Sequence, residues 1–477
     1  MYFEAPDRVP VRMRLWSLSE DVLVEVGPGG DHLVAITQWG EIRIDDASPL
    51  VRESLRRMSL GPVSVENLPV RRESFLRVLE RLGSCVVQSL GLDDEAGPLL
   101  SVVPVARQAR FWLPAEIEPD RPIRLSRFVG IRADHGDLVL DSPVTGYRVA
   151  LHRPAASYVI GALCSATTVV DLAATLRIPG PVLADILAYL IASGMVQIAE
   201  RGVPARFAED ADPALVPWSH HDLLFHSRSR MSRHNGEPGR AFPKVERLPA
   251  APVTKVPPAG ARFPLYRPAL ASLPTGDPPL TQVIETSRFG RGYPDREPTA
   301  EQLGELLFRA ARIRWTRLVT AAVGAGYVVS DRPYPSTADL YELELYLTVD
   351  RCAGLPRGCY HYDAREHVLT LISDSESELA DLLDTAKIAA GSMRRPPVLI
   401  TVTTRIGRLS WRYSAIAYAT TLRHVGALQQ TLHLVATAMG LVSSALAVSD
   451  GASADDALRL DWPIEVSVGE FIVGART

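Results

Sequence analysis

Two adjacent side chains offer this 477-residue sequence its clearest chemistry. In "GRLSWRYSAIAYA", residues 407–419, Arg412 sets a permanent cation beside the phenol of Tyr413. An arginine keeps its proton under ordinary conditions, so it cannot act as a base. A tyrosine accepts a proton as its phenolate, the form that a neighbouring cation stabilises. The pair therefore reads in two ways. Tyr413 serves as a base with Arg412 supporting its anion, or both are structural, with Arg412 paired to a carboxylate such as Glu342 or Glu344. A second cluster, "WSHHDLLFHSRSRMSRHNG", holds His220, His221 and His226, but its spacing matches no compact metal site and only Asp222 accompanies it, so no metal is expected. Arg228, Arg230 and Arg233 suit a phosphate or an acidic partner, although a solvated surface or a domain-docking strip is the commoner explanation.

The elements around the pair follow from periodicity. Ser410 reads as an N-cap, and apolar residues recur at Ile416, Leu422, Val425, Leu428, Leu432, Val435 and Met439 with no proline before Gly440. This predicts one long, largely buried helix. A first-turn arginine opposes the helix dipole, which is what singles out Arg412. Upstream, "TAEQLGELLFRAARI" is an amphipathic helix capped by Thr299. "LYELELYLTV" alternates Leu343, Leu345 and Leu347 with Glu342, Glu344 and Tyr346. "GCYHYDAREHVLTLI" is two strands about a turn at 363–365, "SELADLLDTAKIAAG" a helix, and "PVLITVTTRI" and "EVSVGEFIVG" are strands. Helices and strands mixed without strict alternation predict an α+β fold.

The N-terminal half divides differently. Short strands over residues 20–45, a helix at "PLVRESLRRMS" and a helix running into a strand at "RRESFLRVLERLGSCVVQSLGL" make a first module, residues 1–118. In residues 119–208, two strands are followed by three helices and the strand "MVQIAE", the order of a winged helix-turn-helix. Its third helix contains no Arg, Lys, Asn or Gln. A groove reader needs donors for base edges and cations for phosphates, so peptide or protein binding is expected and nucleic acid is not. Residues 209–283 read as a linker, since ten prolines lie between Pro243 and Pro279. Residues 284–477 form the largest domain.

Bulk properties set the boundaries. The net charge of -4 exerts no general pull toward nucleic acid. Four cysteines without a CxxC pair fit free thiols in a reducing compartment. The N-terminal residues lack the apolar core of a signal peptide, and no apolar run approaches a membrane span, so a cytoplasmic protein is expected.

"SRFGRGY" (287–293), "RPYPSTADLYELELYLTV" (332–349), "PRGCYHYD" (356–363), "WRYSAIAYATTLRHVGALQQTLHLVATAMGL" (411–441) and "VSVGEFIVG" (466–474) occur in the order found in the SagB-type, or ThcOx-like, peptide dehydrogenases, a branch of the flavin-dependent nitroreductase superfamily. "DLLFHSRSR" resembles the same family, and the N-terminal half resembles its winged-helix-like, leader-recognising modules. The resemblance implies a nitroreductase-like FMN domain that oxidises thiazoline or oxazoline rings, working as a homodimer or with a paralogue. Its expected partners are a leader-bearing precursor peptide and a cyclodehydratase. By the same resemblance, Arg288 and Arg291 contact the phosphate and flavin edge. The family's PSGG loop is here "PSTAD", implicating Pro335, Ser336 and Thr337, with Thr337 and Ala338 in place of both glycines. Its glycine-rich segment is here "LAVSD", implicating Ala447 and Val448. Arg476 could reach phosphate. The family's lysine–tyrosine pair becomes Arg412–Tyr413. These departures also suggest a flavin-poor homologue that acts as a leader-binding scaffold or heterodimer partner.

Overall fold

The structure, a computed structural model, describes residues 10–46, 48–94, 96–202, 204–230, 242–271, 273–287, 296–447 and 450–475. The chain forms two compact units, residues 1–237 and 238–477. Helices and strands mix throughout, as an α+β fold requires.

In the first unit a six-stranded sheet runs in the order Arg12–Leu18, Val86–Leu92, Pro98–Pro104, Tyr147–Leu151, Asp137–Asp141, Gly130–Asp134. The sheet crosses the boundary expected near residue 118. Tyr147–Leu151 pairs antiparallel with Pro98–Pro104, from Tyr147 opposite Pro104 to Leu151 opposite Leu100. Both strands are apolar and mostly buried, so each needs a partner on its open edge, and each finds it in the other half. The helices Pro154–Ala162, Val169–Thr175 and Gly180–Ala192 follow, and Val196–Ile198 closes by pairing with Ile123–Leu125. Helix Gly180–Ala192 sends Val182, Leu183, Ile186, Leu187 and Leu190 into the core. A smaller sheet of Leu23–Val26, Leu33–Thr37 and Gly40–Ile44 shares a second core with helices Pro49–Leu60 and Arg72–Leu82. Arg228, read from sequence as a ligand for a phosphate or acidic partner, or as part of a solvated surface or docking strip, is engaged internally. It joins Arg132 and Arg148 around the buried Asp141, at 2.9, 3.1 and 2.9 Å respectively. Burial opposes ionisation of Asp141, and the three guanidinium groups overcome it, holding its carboxyl below the usual range.

The second unit is built on a seven-stranded antiparallel sheet in the order Arg262–Pro264, Val368–Ser373, Gly358–Asp363, Leu343–Val349, Val398–Thr404, Val466–Ala475, Leu441–Leu446. Leu343, Leu345, Leu347, Ile400, Val402 and Phe471 form one face and share a core with helices Ala300–Ala311 and Ala417–Ala438. Thr299 caps the first of these helices through a capping box with Gln302. The alternation read in "LYELELYLTV" is present, but its polar side is buried too. Glu342 is 0% and Glu344 4% exposed, so both carboxylates must be paired inside the protein.

The long helix starts later than its periodicity suggests. Gly407–Ser410 is a short separate helix, and the long one spans Ala417–Ala438, with Ile416 rather than Ser410 at its N-cap. Between them the chain turns to bury Trp411 and Tyr413 in a cluster with Phe242, Tyr327, Leu340 and Leu409. Burying rings of this size is worth more than the few helical hydrogen bonds forgone.

The proline-rich segment expected as an extended linker is instead strapped along the second unit. Phe242 N–H donates to the Arg412 carbonyl (3.1 Å) and Trp411 Nε1 to that of Leu248 (2.9 Å). Arg408 donates to the Ala251 carbonyl at 2.7 Å, and Arg405 to those of Pro252 and Val253 at 2.8 and 3.2 Å. Lys255 pairs with the buried Glu465 at 2.6 Å, and Arg262–Pro264 then joins the sheet edge. Proline-rich chain has few N–H donors to form a ladder, but its carbonyls still accept, and arginine side chains supply the missing donors. Arg408 also donates to the carbonyls of Leu340 (2.5 Å) and Val328 (3.1 Å), so removing it would orphan three buried or partly buried acceptors. Arg408→Ala is expected to cost about 3 kcal/mol of unfolding free energy in urea titration. A loss below about 1 kcal/mol would contradict this role.

Candidate active site

The segment after strand Gly326–Asp331 carries Pro335, Ser336 and Thr337 into a tight loop before Leu343–Val349. Ser336 Oγ accepts from the Tyr341 N–H at 3.0 Å. Thr337 N–H donates to His424 Nε2 at 2.8 Å, and Thr337 Oγ1 lies 3.0 Å from the same nitrogen. An Nε2 that accepts an amide proton leaves the ring proton on Nδ1, which lies 2.8 Å from Glu342 Oε1 and donates to it. Ala338, Asp339 and Tyr341 have φ of 56°, 56° and 45°. Left-handed backbone costs a non-glycine residue about 1–2 kcal/mol. The Glu342–His424–Thr337 chain, with the Tyr341 hydroxyl donating to the Tyr334 carbonyl at 2.8 Å, holds the loop in that shape.

Arg412 is 6% exposed, and its guanidinium carbon lies 5.5 Å from the Phe242 ring centroid and 5.7 Å from those of Tyr327 and Tyr413. It also donates to the Tyr327 hydroxyl. The carboxylate partners considered from sequence are engaged elsewhere, Glu342 with His424 and Glu344 with Arg405 at 2.8 Å. Burial would raise the Glu344 carboxyl, but Arg405 first and His361 next bring it down to about 2. Among the described residues, aromatic faces stand where a counter-ion would around Arg412, an arrangement open to a weakly hydrated guanidinium. Leu340, at the end of the 335–340 loop, shares the apolar cluster with Trp411 and Tyr413. The fold therefore brings two sequence-selected segments together.

Ala447 is exposed just past strand Leu441–Leu446. Arg288, Arg291, Val448 and Arg476 lie outside the described residues. Opposite Leu446 stands Glu470, 2% exposed, whose Oε2 has no hydrogen-bond partner among the described residues. Burial first, and Asp450 second, raise its carboxyl to about 7. Sequence reading passed over Glu470, His424, Arg405 and Arg408. A signal existed for His424, which shares a helix face with the buried Ala417, Thr420, Thr421, Val425 and Leu428. Glu470 lies within a strand of otherwise apolar and small residues.

Two family models match the chain: "Cyanobactin oxidase ThcOx" over residues 123–235 and "Nitroreductase family" over 288–475. Residues 288–475 are thus a nitroreductase-family segment and residues 123–235 a ThcOx-type oxidase segment. No curated protein matches it. Among solved structures, a nitroreductase from Ralstonia eutropha JMP134 is 19% identical over 48% of this chain and 99% of its own, with a TM-score of 0.36. The Escherichia coli microcin synthetase McbBCD complex with truncated pro-MccB17 bound is 18% identical over 56% and 94%, TM-score 0.33. A nitroreductase from Exiguobacterium sibiricum 255-15 in complex with FMN is 12% identical over 42% and 89%, TM-score 0.29. Likenesses this distant carry no conclusion about activity.

The described residues of the loop fit a flat cofactor in one respect. Of the two positions where "PSTAD" replaces glycine, Ala338 takes the left-handed path that glycine adopts without strain, and alanine adds the smallest possible side chain. Pro335, Ser336 and Thr337 would border the group there.

Glu470 supplies a pH test of this region. Its carboxyl is raised in the folded state, so between about pH 4.5 and 7 the unfolded chain has released a proton that the fold retains. Stability contributed by this group therefore falls as pH rises through that window and levels off above it. Glu470→Gln removes the penalty. The variant is expected to be more stable than the parent by about 3 kcal/mol at pH 8 and unchanged near pH 4. Equal shifts at both pH values, read by denaturant titration, would contradict the assignment.

Proposed function

We propose that the chain is an FMN-dependent dehydrogenase that oxidises thiazoline or oxazoline to thiazole or oxazole in a ribosomally made precursor peptide. The observation that carries this reading is one chain joining a ThcOx-type oxidase segment to a nitroreductase domain. The peptide would arrive leader-bearing from a cyclodehydratase, bind the N-terminal modules, and meet a homodimeric oxidase. No helix of the described residues is long and apolar enough to cross a membrane, which suits a cytoplasmic site of action.

Aromatisation removes two electrons and two protons from the ring, as a hydride and a proton. FMN, when bound, supplies the hydride acceptor. Pro335, Ser336, Thr337 and Ala447 would line its site, with Arg288, Arg291 and Arg476 for its phosphate. The chain's own task is the other proton. Tyr413 acts as the phenolate, which the Arg412 guanidinium, 5.7 Å from its ring centroid, stabilises; it accepts the acidic α-proton, becomes the neutral phenol, and gives the proton up after product release. The surrounding Phe242, Tyr327 and Trp411 exclude water from that step.

One observation favours a second reading. The Thr337 amide is turned onto His424 and is not free for a ligand, and Arg412 is enclosed by rings. A chain of this kind would serve as a leader-binding partner for an active paralogue.

The test is a synthetic thiazoline peptide incubated with the full chain and excess FMN, with mass spectrometry to detect a loss of about two daltons, the mass of two hydrogens. Turnover is expected. Tyr413→Phe should reduce it at least about a hundredfold, the worth of a positioned base, and Arg412→Lys should preserve or raise it. No mass loss from the chain alone, but turnover once an active paralogue is added, would favour the second reading. Unchanged turnover in both variants would remove Tyr413 from the mechanism.

A further inference from the structure

The six-stranded sheet of the first unit has two edges, and one of them, Arg12–Leu18, borders a cavity of about 740 Å³. The direction of its main chain follows from its neighbours. Trp16 exchanges both main-chain hydrogen bonds with Val63 on the outer side (2.8 and 2.9 Å), whereas Val11 and Ser19 bond inward to Asp93 and Cys85. In an antiparallel strand these directions alternate. The N–H and C=O of Arg12 and Arg14 therefore point outward, and among the described residues no main-chain partner meets them. The opposite wall is helix Gly180–Ala192, which presents Pro181, Ala184 and Ala188, small side chains that leave room. Leu113, Ile117 and Val169 add apolar lining. The wall and the edge come from the two modules distinguished by sequence, so neither alone makes the groove. The strand Tyr147–Leu151, which leads into the three helices, is already paired on both sides and has no edge to offer.

The charges define the occupant further. Arg12 is compensated by Asp185 at 3.3 Å and donates to the Pro181 carbonyl at 3.1 Å. Arg14 is exposed and makes no ion pair among the described residues, and its charge is felt only at longer range by Glu66 and Tyr189. Glu116 also lines the groove, which disfavours a uniformly acidic guest. We infer that this groove captures an extended, mainly apolar segment of the precursor peptide as a seventh strand on Arg12–Arg14, with one carboxylate of the guest on Arg14. The inference rests on the peptide-modifying function proposed above. Strand addition supplies main-chain hydrogen bonds for affinity, and the alternate side chains read the groove.

The probe is a short fluorescein-labelled peptide that alternates valine and threonine around one central glutamate, measured against the full chain by fluorescence polarisation and amide exchange. Binding is expected to slow exchange across residues 12–16. Arg14→Pro removes the outward N–H, a change tolerated where the N–H of an edge strand faces solvent, and Ala188→Leu fills the groove from a helix position. Each should weaken binding at least about tenfold, equivalent to about one lost hydrogen bond. Arg14→Ala, or glutamine in the probe, should weaken it only about two- to fivefold. Absence of binding, binding indifferent to Ala188→Leu, or concentration-dependent dimerisation abolished by Arg14→Pro without probe binding would each overturn the proposal, the last by making a second copy the occupant. A chain that binds the probe in the groove yet oxidises no azoline keeps the groove and rejects the dehydrogenase reading. Oxidation of a leader-bearing substrate at unaltered KM in both groove variants does the reverse.

Discussion

The buried guanidinium of Arg408 is the point on which the second unit is organised. Its three nitrogens reach the carbonyls of Leu340, Ala251 and Val328, so one side chain fixes the end of the 335–340 loop, the proline-rich strap and the Gly326–Asp331 strand. Burial lowers the pKa of its guanidinium, and nearby Arg405 and Arg332 add to that effect, bringing it to about 9. It therefore remains a cation at neutral pH inside the protein. With three carbonyl acceptors and, among the described residues, no ion pair, the group is held mainly by dipoles, each from a different segment, while Glu344 and Glu342 favour its charge from farther off. Arg405 repeats the pattern on the next stretch of strap while also neutralising Glu344.

This anchoring bears on the candidate site. The loop's left-handed residues are affordable because its ends are tied, to Arg408 at Leu340 and to His424 at Thr337. His424 is in turn fixed by Glu342. The same interactions give the active and the flavin-poor readings their shared feature, a rigid loop, and the difference between them is whether that loop still borders a cofactor. The aromatic enclosure of Arg412 has a similar double meaning. It positions a cation beside Tyr413 without a carboxylate that would draw the charge away, and it also buries that cation deeply.

Much of the architecture was legible in the sequence because periodicity is a local property. The α+β class, the capped helix at Thr299, the hairpin about residues 363–365 and the helix–helix–helix–strand order of residues 154–198 are all found. Features that depended on distant partners were not legible. The start of the long helix was misplaced because burial of Trp411 and Tyr413 is decided by Phe242 and Tyr327. The strap read as a linker because no local pattern shows that Arg405 and Arg408 will donate to its carbonyls. The two N-terminal modules share a sheet because Tyr147–Leu151 finds Pro98–Pro104 across an expected boundary. At the site, the importance of residues 335–339 and 412–413 was visible from motif order. The pairing of Glu342 with His424 needed the fold.

The central claim is that this chain retains a flavin site despite its altered loop, and titration of the purified apoprotein with FMN tests it most directly. The account predicts saturable quenching of flavin fluorescence at one FMN per chain, weakened by substitution of Arg288 or Arg291. Free FMN fluorescence undiminished at micromolar protein, with no retained flavin after gel filtration, would contradict it.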